Sequence, residues 1–357
     1  MEKKLRVGIV GYGGMGTVHL TTSHVYNPAV EVVAVCDIIV ERAERAIRDN
    51  HLQSAKAYTD YKEMIEKEEL DAVDICTPNY LHSIIAVYAM EHGLHVFCEK
   101  PDAINVEEAE KMKAASEKSG KVLMVMRNNR YYENSQFVKD YIKTGAVGDI
   151  YCGRCGWIRR RGIPGKGGWF TTKAQSGGGP LIDLGVHMID LAIWLMGNPT
   201  PVSVSGCTYN KFADDTAQSD SVHSKFGDSK ADGTFDVEDL AMGFIRFDNG
   251  ACLQIEFSWA SNIKEESRFV ELRGTKAGIK WCDNGSAEIY GEQSGKLTNL
   301  VHSSSDMGNG HDLAIRHWVD VVLNGGERDF VPKQGLDMIK ILSAIYESAE
   351  TGREVVL

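Results

Sequence analysis

The stretch of this sequence best suited to chemistry is the apolar segment of residues 177–197, GGGPLIDLGVHMIDLAIWLMG, which carries two carboxylates and an imidazole. Three glycines lead to Pro180, and because proline suits the first helical position, a helix is predicted to begin there. Asp183, His187 and Asp190 fall at i, i+4 and i+7, so they would share one helix face. Buried carboxylates need partners. The pattern therefore predicts either a structural network or a proton-transfer site in which Asp183 orients and charges His187.

A glycine-rich turn near the N-terminus indicates how a cofactor would be held. Residues 5–10, LRVGIV, predict a buried strand, and a helical segment follows the turn. The residues between them match the pattern G-x-G-x-x-G and are Gly11, Tyr12, Gly13, Gly14, Met15 and Gly16. In this setting the pattern is typical of dinucleotide binding, because the glycines let backbone N–H groups approach a pyrophosphate.

Asp37 narrows the predicted cofactor to NAD. It ends a second apolar run and lies 21 residues beyond Gly16, near the spacing at which an acidic side chain meets the adenosine ribose hydroxyls. Its carboxylate would repel the 2′-phosphate of NADP, and Ile38 offers no compensating cation. We therefore predict NAD, with NADP less favoured. The alternative is that Asp37 only begins a turn.

Two polar motifs follow later strands of a β/α alternation. The alternation predicts strands at residues 72–76, 95–98 and 122–126 and helices at 81–91 and 106–118, which indicates a doubly wound parallel sheet. Ligands bind beyond the carboxyl ends of such strands. The motifs at those ends are Thr77, Pro78 and Asn79, and Glu99, Lys100 and Pro101. Lys100 could hydrogen-bond a substrate hydroxyl and take part in its proton transfer, although a lysine before proline is otherwise typical of a surface loop.

The second half of the chain is rich in predicted strands. They lie at residues 150–159, 201–208, 240–247, 251–260 and 267–273, with helices at 134–143, 311–323 and 335–350. Alternation in CLQIEFSW indicates an antiparallel sheet with one open face, through which we predict a homodimer or homotetramer. Between Lys211 and Asp236 the polar chain predicts a mobile loop. We predict a dinucleotide-binding domain at residues 1–127 and a substrate-binding and oligomerisation domain at residues 128–357.

Composition and charge exclude several classes of protein. The 357 residues are 43% hydrophobic and 25% charged, which is ordinary for a soluble globular chain of two domains. A formal net charge of −11 argues against nucleic acid as the main partner. No apolar run is long enough for a membrane span, and the N-terminus has too short an apolar core for a secretory signal. A cytoplasmic location without a membrane partner is therefore expected.

The cysteines and one basic cluster are the remaining features. Among the eight cysteines, Cys152 and Cys155 form a CxxC pattern. Their side chains would point to opposite faces of an extended segment, so no metal site is predicted. The basic cluster is Arg159, Arg160 and Arg161. It fits either a solvated loop or intersubunit contact, or a contact with an anionic or polyhydroxyl ligand.

Taken together, the glycine turn, the Thr77 and Glu99 motifs and the segment from Asp183 to Asp190 resemble the glucose-fructose oxidoreductase and inositol dehydrogenase family. The resemblance extends over nearly the whole chain, including the ending GREVVL. Members of this family join a Rossmann domain to an α/β domain with a large, open, mainly antiparallel sheet. The resemblance implies an NAD-dependent oxidoreductase that oxidises a secondary hydroxyl of a sugar or cyclic polyol.

The resemblance also implies roles for particular residues. Lys100, Asp183 and His187 correspond to the residues that act in proton transfer coupled to hydride transfer, and Asp190 to a ligand of a substrate hydroxyl. Asn128 and Asn129 stand in a segment that is more usually arginine-rich in the family. The predicted substrate-binding residues are Lys100, Asn128, Trp169, Asp183, His187 and Asp190. The predicted cofactor-binding residues are those of the glycine turn with Asp37, Thr77, Pro78, Asn79, His82, Glu99 and Lys100.

Two other functions are alternatives. Some relatives are glycosidases that oxidise and re-reduce a bound sugar with a retained NAD, and others are regulators that bind a dinucleotide without catalysis. The intact Lys100, Asp183 and His187 argue against a regulator. The dehydrogenase-type D-x-x-x-H argues, less strongly, against a glycosidase.

Overall fold

The chain divides into two compact units. A computed structural model of the chain describes residues 4–213, 227, 229–304 and 308–357. The units are Met1–Met126 with His311–Leu336, and Arg127–Gly310 with Asp337–Leu357. Our predicted division after residue 127 differs from this one because it leaves His311–Leu336 in the second domain. That segment joins the first unit because Trp318 packs against Phe97, with ring centroids 5.4 Å apart.

The first unit is built on a parallel sheet. Its strands are β1 (Leu5–Val10), β2 (Val30–Cys36), β3 (Lys56–Tyr58), β4 (Ala72–Ile75), β5 (His95–Cys98) and β6 (Leu123–Val125). Its first helices are α1 (Gly14–His19), α2 (Val40–Asp49), α3 (Tyr61–Lys67), α4 (His82–Glu91) and α5 (Val106–Ser119). The strands lie in the order β3-β2-β1-β4-β5-β6, all parallel. This is the strand order of the Rossmann fold, and it confirms the predicted doubly wound sheet.

Apolar runs and helix ends explain these elements. Val7, Ile9 and Val35 are fully buried, as expected for parallel strands that are covered on both faces. Helix α5 begins where the Asn105 side chain accepts a hydrogen bond from a backbone N–H at 2.9 Å, and it ends at Gly120, whose φ of 68° suits glycine. Because the strands are parallel, the residues that follow β1, β2, β4 and β5 lie at one edge of the sheet.

The second unit contains a larger, mainly antiparallel sheet. Its strands are β7 (Ile150–Ile158), β8 (Pro201–Tyr209), β9 (Leu240–Phe247), β10 (Cys252–Ser258), β11 (Ser267–Gly274), β12 (Gly278–Cys282), β13 (Ser286–Gln293), β14 (Lys296–Ser303) and β15 (Val355–Val356). Their order is β14-β13-β12-β11-β7-β10-β9-β8-β15 in the part of the chain that the structure describes. Strands β7 and β10 are parallel, and the other neighbours are antiparallel. This confirms the predicted sheet, although we did not predict β12 to β15.

Helices cover one face of this sheet. The remaining helices of the chain are α6 (Glu133–Lys143), α7 (Lys173–Ser176), α8 (Pro180–Asp183), α9 (Gly185–Leu195), α10 (Gly310–Asn324) and α11 (Pro332–Thr351). Helix α9 packs on β7 and β11, and its Met188, Ile189 and Leu191 are fully buried. Most of the loop that we predicted between Lys211 and Asp236 lies outside the described residues.

The prediction of one continuous helix from Pro180 is wrong. Helix α8 ends at Asp183 and α9 begins at Gly185, because the backbone N–H of His187 bonds to the carbonyl oxygen of Leu184, three residues back, at 3.2 Å. The segments Lys173–Asp183 and Gly185–Leu195 meet at 49°. Within the described ranges no single helix has the length and apolar character to cross a membrane; this bent pair does, on those two criteria alone.

Candidate active site

The glycine turn follows β1 and leads into α1, which Gly14 and Met15 begin. Gly11 has a φ of 93°, and a Cβ there would lie 2.7 Å from a backbone oxygen at the end of β4. A Cβ on Gly16 would lie 2.0 Å from a backbone oxygen of the turn itself. Gly13 is exposed, and a Cβ there would meet nothing within 4 Å. The turn is tight on its inner side and open on its outer side, which fits the close approach of a pyrophosphate.

Asp37 lies beside this turn, after β2. Its Oδ2 accepts a hydrogen bond from the backbone N–H of the buried Tyr12 at 2.8 Å, and its Oδ1 accepts one from the N–H of Ile39 at 2.9 Å. These bonds hold the carboxylate next to the turn, and each oxygen retains a second lone pair. The neighbouring Ile38 is 87% exposed and uncharged. The arrangement fits ribose hydroxyls better than a 2′-phosphate.

A buried histidine links the motifs that follow β4 and β5. The Nδ1 of His82 lies 2.8 Å from the carbonyl oxygen of Pro101, and its Nε2 lies 2.9 Å from that of Thr77. Burial lowers the pKa of His82, although the two carbonyl groups act in the opposite direction. The Lys100–Pro101 peptide bond is cis. In this arrangement His82 supports both motifs through their backbones.

The Thr77 motif carries a polar atom that a ligand would explain. The Oγ1 of Thr77 is buried and has no hydrogen-bond partner among the described residues. Pro78 precedes the short 3-10 turn Asn79–Leu81, and Asn79 itself is buried. A buried hydroxyl without a partner is rare, and this one lies at the sheet edge where the glycine turn also lies. Together with the turn and Asp37, it fits NAD.

A buried network supports Glu99 and Lys100. Glu99 Oε2 accepts a hydrogen bond from the backbone N–H of Lys100 at 3.0 Å, and its Oε1 lies 2.9 Å from His19 Nε2. His19 Nδ1 lies 2.9 Å from Asp74 Oδ2, which also lies 2.7 Å from His24 Nε2. His19 and Asp74 are fully buried. The backbone of Lys100 is thereby anchored, through Glu99, to α1 and β4.

This network is ionised. Burial is the largest single effect on His19 and opposes its charge, but the charges and hydrogen bonds of Asp74 and Cys76 together raise the pKa of His19 well above its ordinary value. Burial alone would raise the pKa of Glu99, yet the hydrogen bond and charge of His19 lower it to about 2. His19 is therefore an imidazolium between two carboxylates. Cys76 Sγ lies 3.3 Å from His19 Nδ1, so His19, Asp74 and Cys76 are of types that could hold a metal ion, but here they contact one another.

Asp183 and His187 lie in the second unit, on either side of the break between α8 and α9. Asp183 Oδ2 accepts a hydrogen bond from Nε1 of the fully buried Trp259 at 2.9 Å. The His187 ring lies 6.0 Å from that of Trp157, at an angle of 55°. Asp183 and His187 are both half-buried. An imidazole that is partly accessible to solvent is a side chain of the type that acts in general acid–base catalysis.

Asp190 is engaged by two arginines. Its Oδ1 accepts hydrogen bonds from Arg127 Nε at 2.9 Å and Arg130 Nη2 at 2.7 Å, and its Oδ2 accepts one from Arg130 Nε at 2.8 Å. Burial alone would raise the pKa of Asp190, but the two guanidiniums lower it. We predicted Asp190 as a substrate ligand. Its role as a ligand of a substrate hydroxyl stays a prediction, and the ion pairs also link Asp190 to the segment that begins at Arg127.

The two asparagines of that segment have different surroundings. Asn129 Nδ2 donates a hydrogen bond to the backbone oxygen of His187 at 3.2 Å, and its Oδ1 accepts one from Arg268 Nη2 at 2.6 Å. Asn128 Nδ2 donates to the Tyr132 hydroxyl at 3.2 Å, while its buried Oδ1 has no partner among the described residues. Asn129 therefore holds the backbone of α9 at His187. Asn128 retains an acceptor oxygen for a ligand.

Trp169 lies in a 3-10 turn, Trp169–Thr171, and stacks on its neighbour. The ring centroids of Trp169 and Phe170 are 3.8 Å apart. Phe170 is buried and Trp169 is half-buried. The pair packs locally, and a role of Trp169 in covering a sugar stays a prediction.

A buried carboxylate holds the start of α8. Glu238 Oε2 accepts a hydrogen bond from the N–H of Gly179 at 2.9 Å, and its Oε1 accepts hydrogen bonds from the N–H of Leu181 at 3.0 Å and the hydroxyl of Tyr346 at 2.9 Å. Burial raises the pKa of Glu238, although the two amides act in the opposite direction. A Cβ on Gly178 would lie 1.9 Å from the Tyr346 hydroxyl oxygen. The glycines before Pro180 thus let this network reach the start of α8, which ends at Asp183.

Sequence reasoning missed several of these supporting residues. They are His19, Asp74, Trp157, Glu238, Trp259 and Tyr346. Two of them carried a local signal: Asp74 is a charge inside the apolar run AVDI, which requires a partner, and Trp259 continues the alternation of QIEFSW. No pattern connects Glu238 with Tyr346, because they meet only in the folded unit.

Comparison with known proteins covers both units. Residues 5–127 match the model of an oxidoreductase family with an NAD-binding Rossmann fold, and residues 135–280 match the GFO/IDH/MocA C-terminal domain. D-glucoside 3-dehydrogenase of Escherichia coli (strain K12) is 33% identical over 99% of this chain and 97% of that protein. Levoglucosan dehydrogenase of Pseudarthrobacter phenanthrenivorans is 30% identical over 78% of this chain and 73% of that protein.

A solved structure adds the same result for the fold. The complex of levoglucosan dehydrogenase with NADH has a TM-score of 0.85 to this chain, with 25% identity and 99% of both chains covered. The predicted fold, the predicted oxidoreductase activity and NAD as the cofactor are confirmed. The chain therefore belongs to the GFO/IDH/MocA family of oxidoreductases, whose N-terminal domain is an NAD-binding Rossmann fold.

Proposed function

We propose that this oxidoreductase oxidises a secondary hydroxyl of a pyranose or cyclic polyol with NAD. Relatives named as dehydrogenases of glucosides, levoglucosan and inositol support the substrate class. Function has to be argued from the site and not from the fold. The observation that carries the proposal is a half-buried imidazole, His187, whose ring lies 6.0 Å from that of Trp157. Asp183, four residues earlier, accepts a hydrogen bond from Trp259 at 2.9 Å.

The proposed chemistry gives each residue one task. When bound, NAD supplies the acceptor for the hydrogen on the carbinol carbon and its electron pair. His187 accepts the hydroxyl proton at a ring nitrogen, and the charge of Asp183 stabilises the imidazolium that forms. The Nζ of Lys100 donates a hydrogen bond to the same substrate oxygen. Asp37, Thr77 and the glycine turn hold the cofactor, and correct placement of the carbinol carbon contributes much of the acceleration.

The test is the absorbance of NADH during incubation with NAD or NADP and a panel of inositols, methyl pyranosides and aldoses. We expect reduction of NAD with one class of substrate. His187→Ala should then lower kcat roughly 10²- to 10⁴-fold, and Lys100→Met should also lower it. Lys118→Met, on an exposed lysine of α5, is the matched control and should leave kcat unchanged.

Each contrary outcome has its own meaning. An unchanged rate for His187→Ala would refute the assignment of the base. Tight NAD binding without NADH formation from any panel member would contradict the dehydrogenase. Hydrolysis of a glycoside without net NADH formation would assign the chain to the glycosidases that retain NAD.

We also propose that the open sheet forms the contact of a homodimer or homotetramer. Tyr290 and Val301 are 38% and 59% exposed, and Leu297 near them is 91% exposed. The register of β13 and β14 puts all three on the face opposite to the buried Ala287 and Ile289. Light scattering that shows only monomer would contradict this contact.

A further inference from the structure

Three consecutive arginines follow β7, and they have different surroundings. Arg160 is exposed. Arg161 donates hydrogen bonds to the carbonyl oxygen of Ser261 and to Asn262 Oδ1, both at 2.8 Å. Arg159 is only 7% exposed. The sequence left a solvated loop, an intersubunit contact or a ligand contact open for this cluster. A solvated loop describes Arg160 but not Arg159.

The guanidinium of Arg159 has more donors than acceptors around it. Its Nη1 donates a hydrogen bond to the carbonyl oxygen of Gly162 at 3.3 Å, and its buried Nε has no partner among the described residues. Burial lowers the pKa of this guanidinium, although the charges of Asp183 and Glu266 act in the opposite direction. A buried donor of a cation that has no acceptor is costly. An acceptor that a ligand supplies would remove this cost.

Arg159 also lies on the same side of the sheet as the acid–base pair. Its guanidinium carbon is 4.9 Å from the centroid of the Trp157 ring, which lies 6.0 Å from the His187 ring. Its backbone N–H donates to the carbonyl oxygen of Ser258 at 3.0 Å, and its own carbonyl accepts from Ser261 Oγ at 2.8 Å. Backbone and ring contacts thus hold the guanidinium in place before a ligand binds.

We propose that Arg159 is a substrate-binding residue that donates a hydrogen bond to a ring hydroxyl next to the one that is oxidised. This proposal rests on the proposed function and narrows the substrate to neutral rings with vicinal hydroxyls. The acid–base pair engages the reacting hydroxyl, and the guanidinium, which carries donors only, serves the oxygen of its neighbour. A neutral ring is expected because two carboxylates, Asp183 and Glu266, act on Arg159 together with one further guanidinium, that of Arg268, which faces the same Trp157 ring at 4.2 Å. These four charges sum to zero and leave no excess cation for a sugar acid.

A double-mutant cycle between protein and substrate tests this pairing. The variants are Arg159→Gln and Arg159→Lys, with Arg160→Gln as the control on the adjacent, exposed arginine. The substrates are the panel member that the wild-type protein oxidises fastest and its monodeoxy and deoxyfluoro analogues at each remaining ring hydroxyl. A methyl glycuronoside tests the acidic alternative. Values of kcat and KM are measured from NADH formation.

The expected losses depend on the hydroxyl that is removed. Arg159→Gln should lower kcat/KM for the parent substrate roughly 10- to 100-fold, and Arg160→Gln should not change it. With the wild-type protein, kcat/KM for one deoxy analogue should fall below that for the parent substrate by the same factor. With Arg159→Gln, kcat/KM for that analogue and for the parent substrate should differ little. The deoxyfluoro analogue at that carbon retains an acceptor, so its kcat/KM with the wild-type protein should fall less than that of the deoxy analogue. Arg159→Lys should give an intermediate rate, because an ammonium keeps the charge without the planar donors.

Equal losses for every analogue with Arg159→Gln would overturn the proposal, because they would mean a structural role alone. A wild-type preference for the glycuronoside that Arg159→Gln abolishes would overturn it as well. If the wild-type protein oxidises no panel member, the proposed function itself fails. If it oxidises one and Arg159→Gln leaves every rate unchanged, the role of Arg159 fails alone.

Discussion

Replacement of Glu238 should weaken the second unit and slow the reaction, although Glu238 touches no reacting group. Its carboxylate accepts hydrogen bonds from Gly179, Leu181 and Tyr346 at 2.9, 3.0 and 2.9 Å. Glu238→Ala leaves all three donors buried without this acceptor. Each unpaired donor costs about 1–3 kcal/mol, and removal of a buried charge offsets part of the sum. We expect the free energy of unfolding to fall by about 3–5 kcal/mol.

Two milder variants give a graded series. Tyr346→Phe removes one donor and keeps both backbone hydrogen bonds of Glu238, so we expect a loss of about 1 kcal/mol. Glu238→Gln keeps one acceptor oxygen but turns an amide N–H toward a backbone N–H, so its loss should be about 1–3 kcal/mol. The order of destabilisation should therefore be Ala, then Gln, then Phe.

Urea unfolding followed by tryptophan fluorescence is the assay for stability. Five of the six tryptophans lie in the second unit and one, Trp318, in the first, so the signal reports mainly on the unit that contains Glu238. Activity gives a second readout: because Glu238 holds the start of α8, which ends at Asp183, Glu238→Ala should lower kcat roughly 10- to 100-fold and leave the Kd for NAD unchanged. Unaltered unfolding, or a weaker Kd with an unaltered kcat, would refute this reasoning.

Three further predictions concern the first unit. Gly16→Ala places a Cβ 2.0 Å from a backbone oxygen and should weaken NAD binding at least about tenfold in a titration; an unchanged Kd would contradict the tight turn. Asp37→Ser should lower the ratio of kcat/KM for NAD to that for NADP, since it removes the carboxylate that disfavours a 2′-phosphate; a constant ratio would contradict this role. His19→Gln leaves Asp74 and Glu99 without their shared cation and should lower the free energy of unfolding by about 3–5 kcal/mol in urea titrations at neutral pH. Because the pKa of His19 is raised, the contribution of His19 to the free energy of unfolding is fully present below pH 6.5 and is lost as pH rises through the raised value. Because the pKa of Glu99 is lowered from 4.5 to about 2, the contribution of Glu99 is lost as pH falls across this interval. A difference between wild type and variant that does not change with pH would contradict an ionised network.

The local sequence pattern was sufficient to predict most strands of the first unit. The strands Leu5–Val10 and His95–Cys98 have the predicted bounds, because a buried parallel strand is a continuous apolar run. The three residues of β3 carry no such signal, since they are half-buried or exposed. Length of apolar run therefore decided which strands could be predicted.

Sequence periodicity did not predict the break between α8, which ends at Asp183, and α9, which contains His187. Counting at 3.6 residues per turn assumes one straight helix, but the chain breaks at Leu184, between Asp183 and Gly185. Trp259 then holds Asp183 from the sheet. The roles of Asp183 and His187 stay predictions from their spacing, and the orientation of the Asp183 carboxylate depends on a tryptophan that lies far along the chain.

By itself the sequence determined the motifs: the glycine turn, Asp37, the polar ends of two strands and the four-residue spacing of Asp183 and His187. Each depends on neighbours in the chain, and backbone geometry translates such spacing directly into position. Only the tertiary structure decided that Asp190 pairs with two arginines and that Arg159 is buried with unused donors. The physical reason is that the state of a buried polar group depends on what surrounds it, and those surroundings come from residues that are distant in sequence.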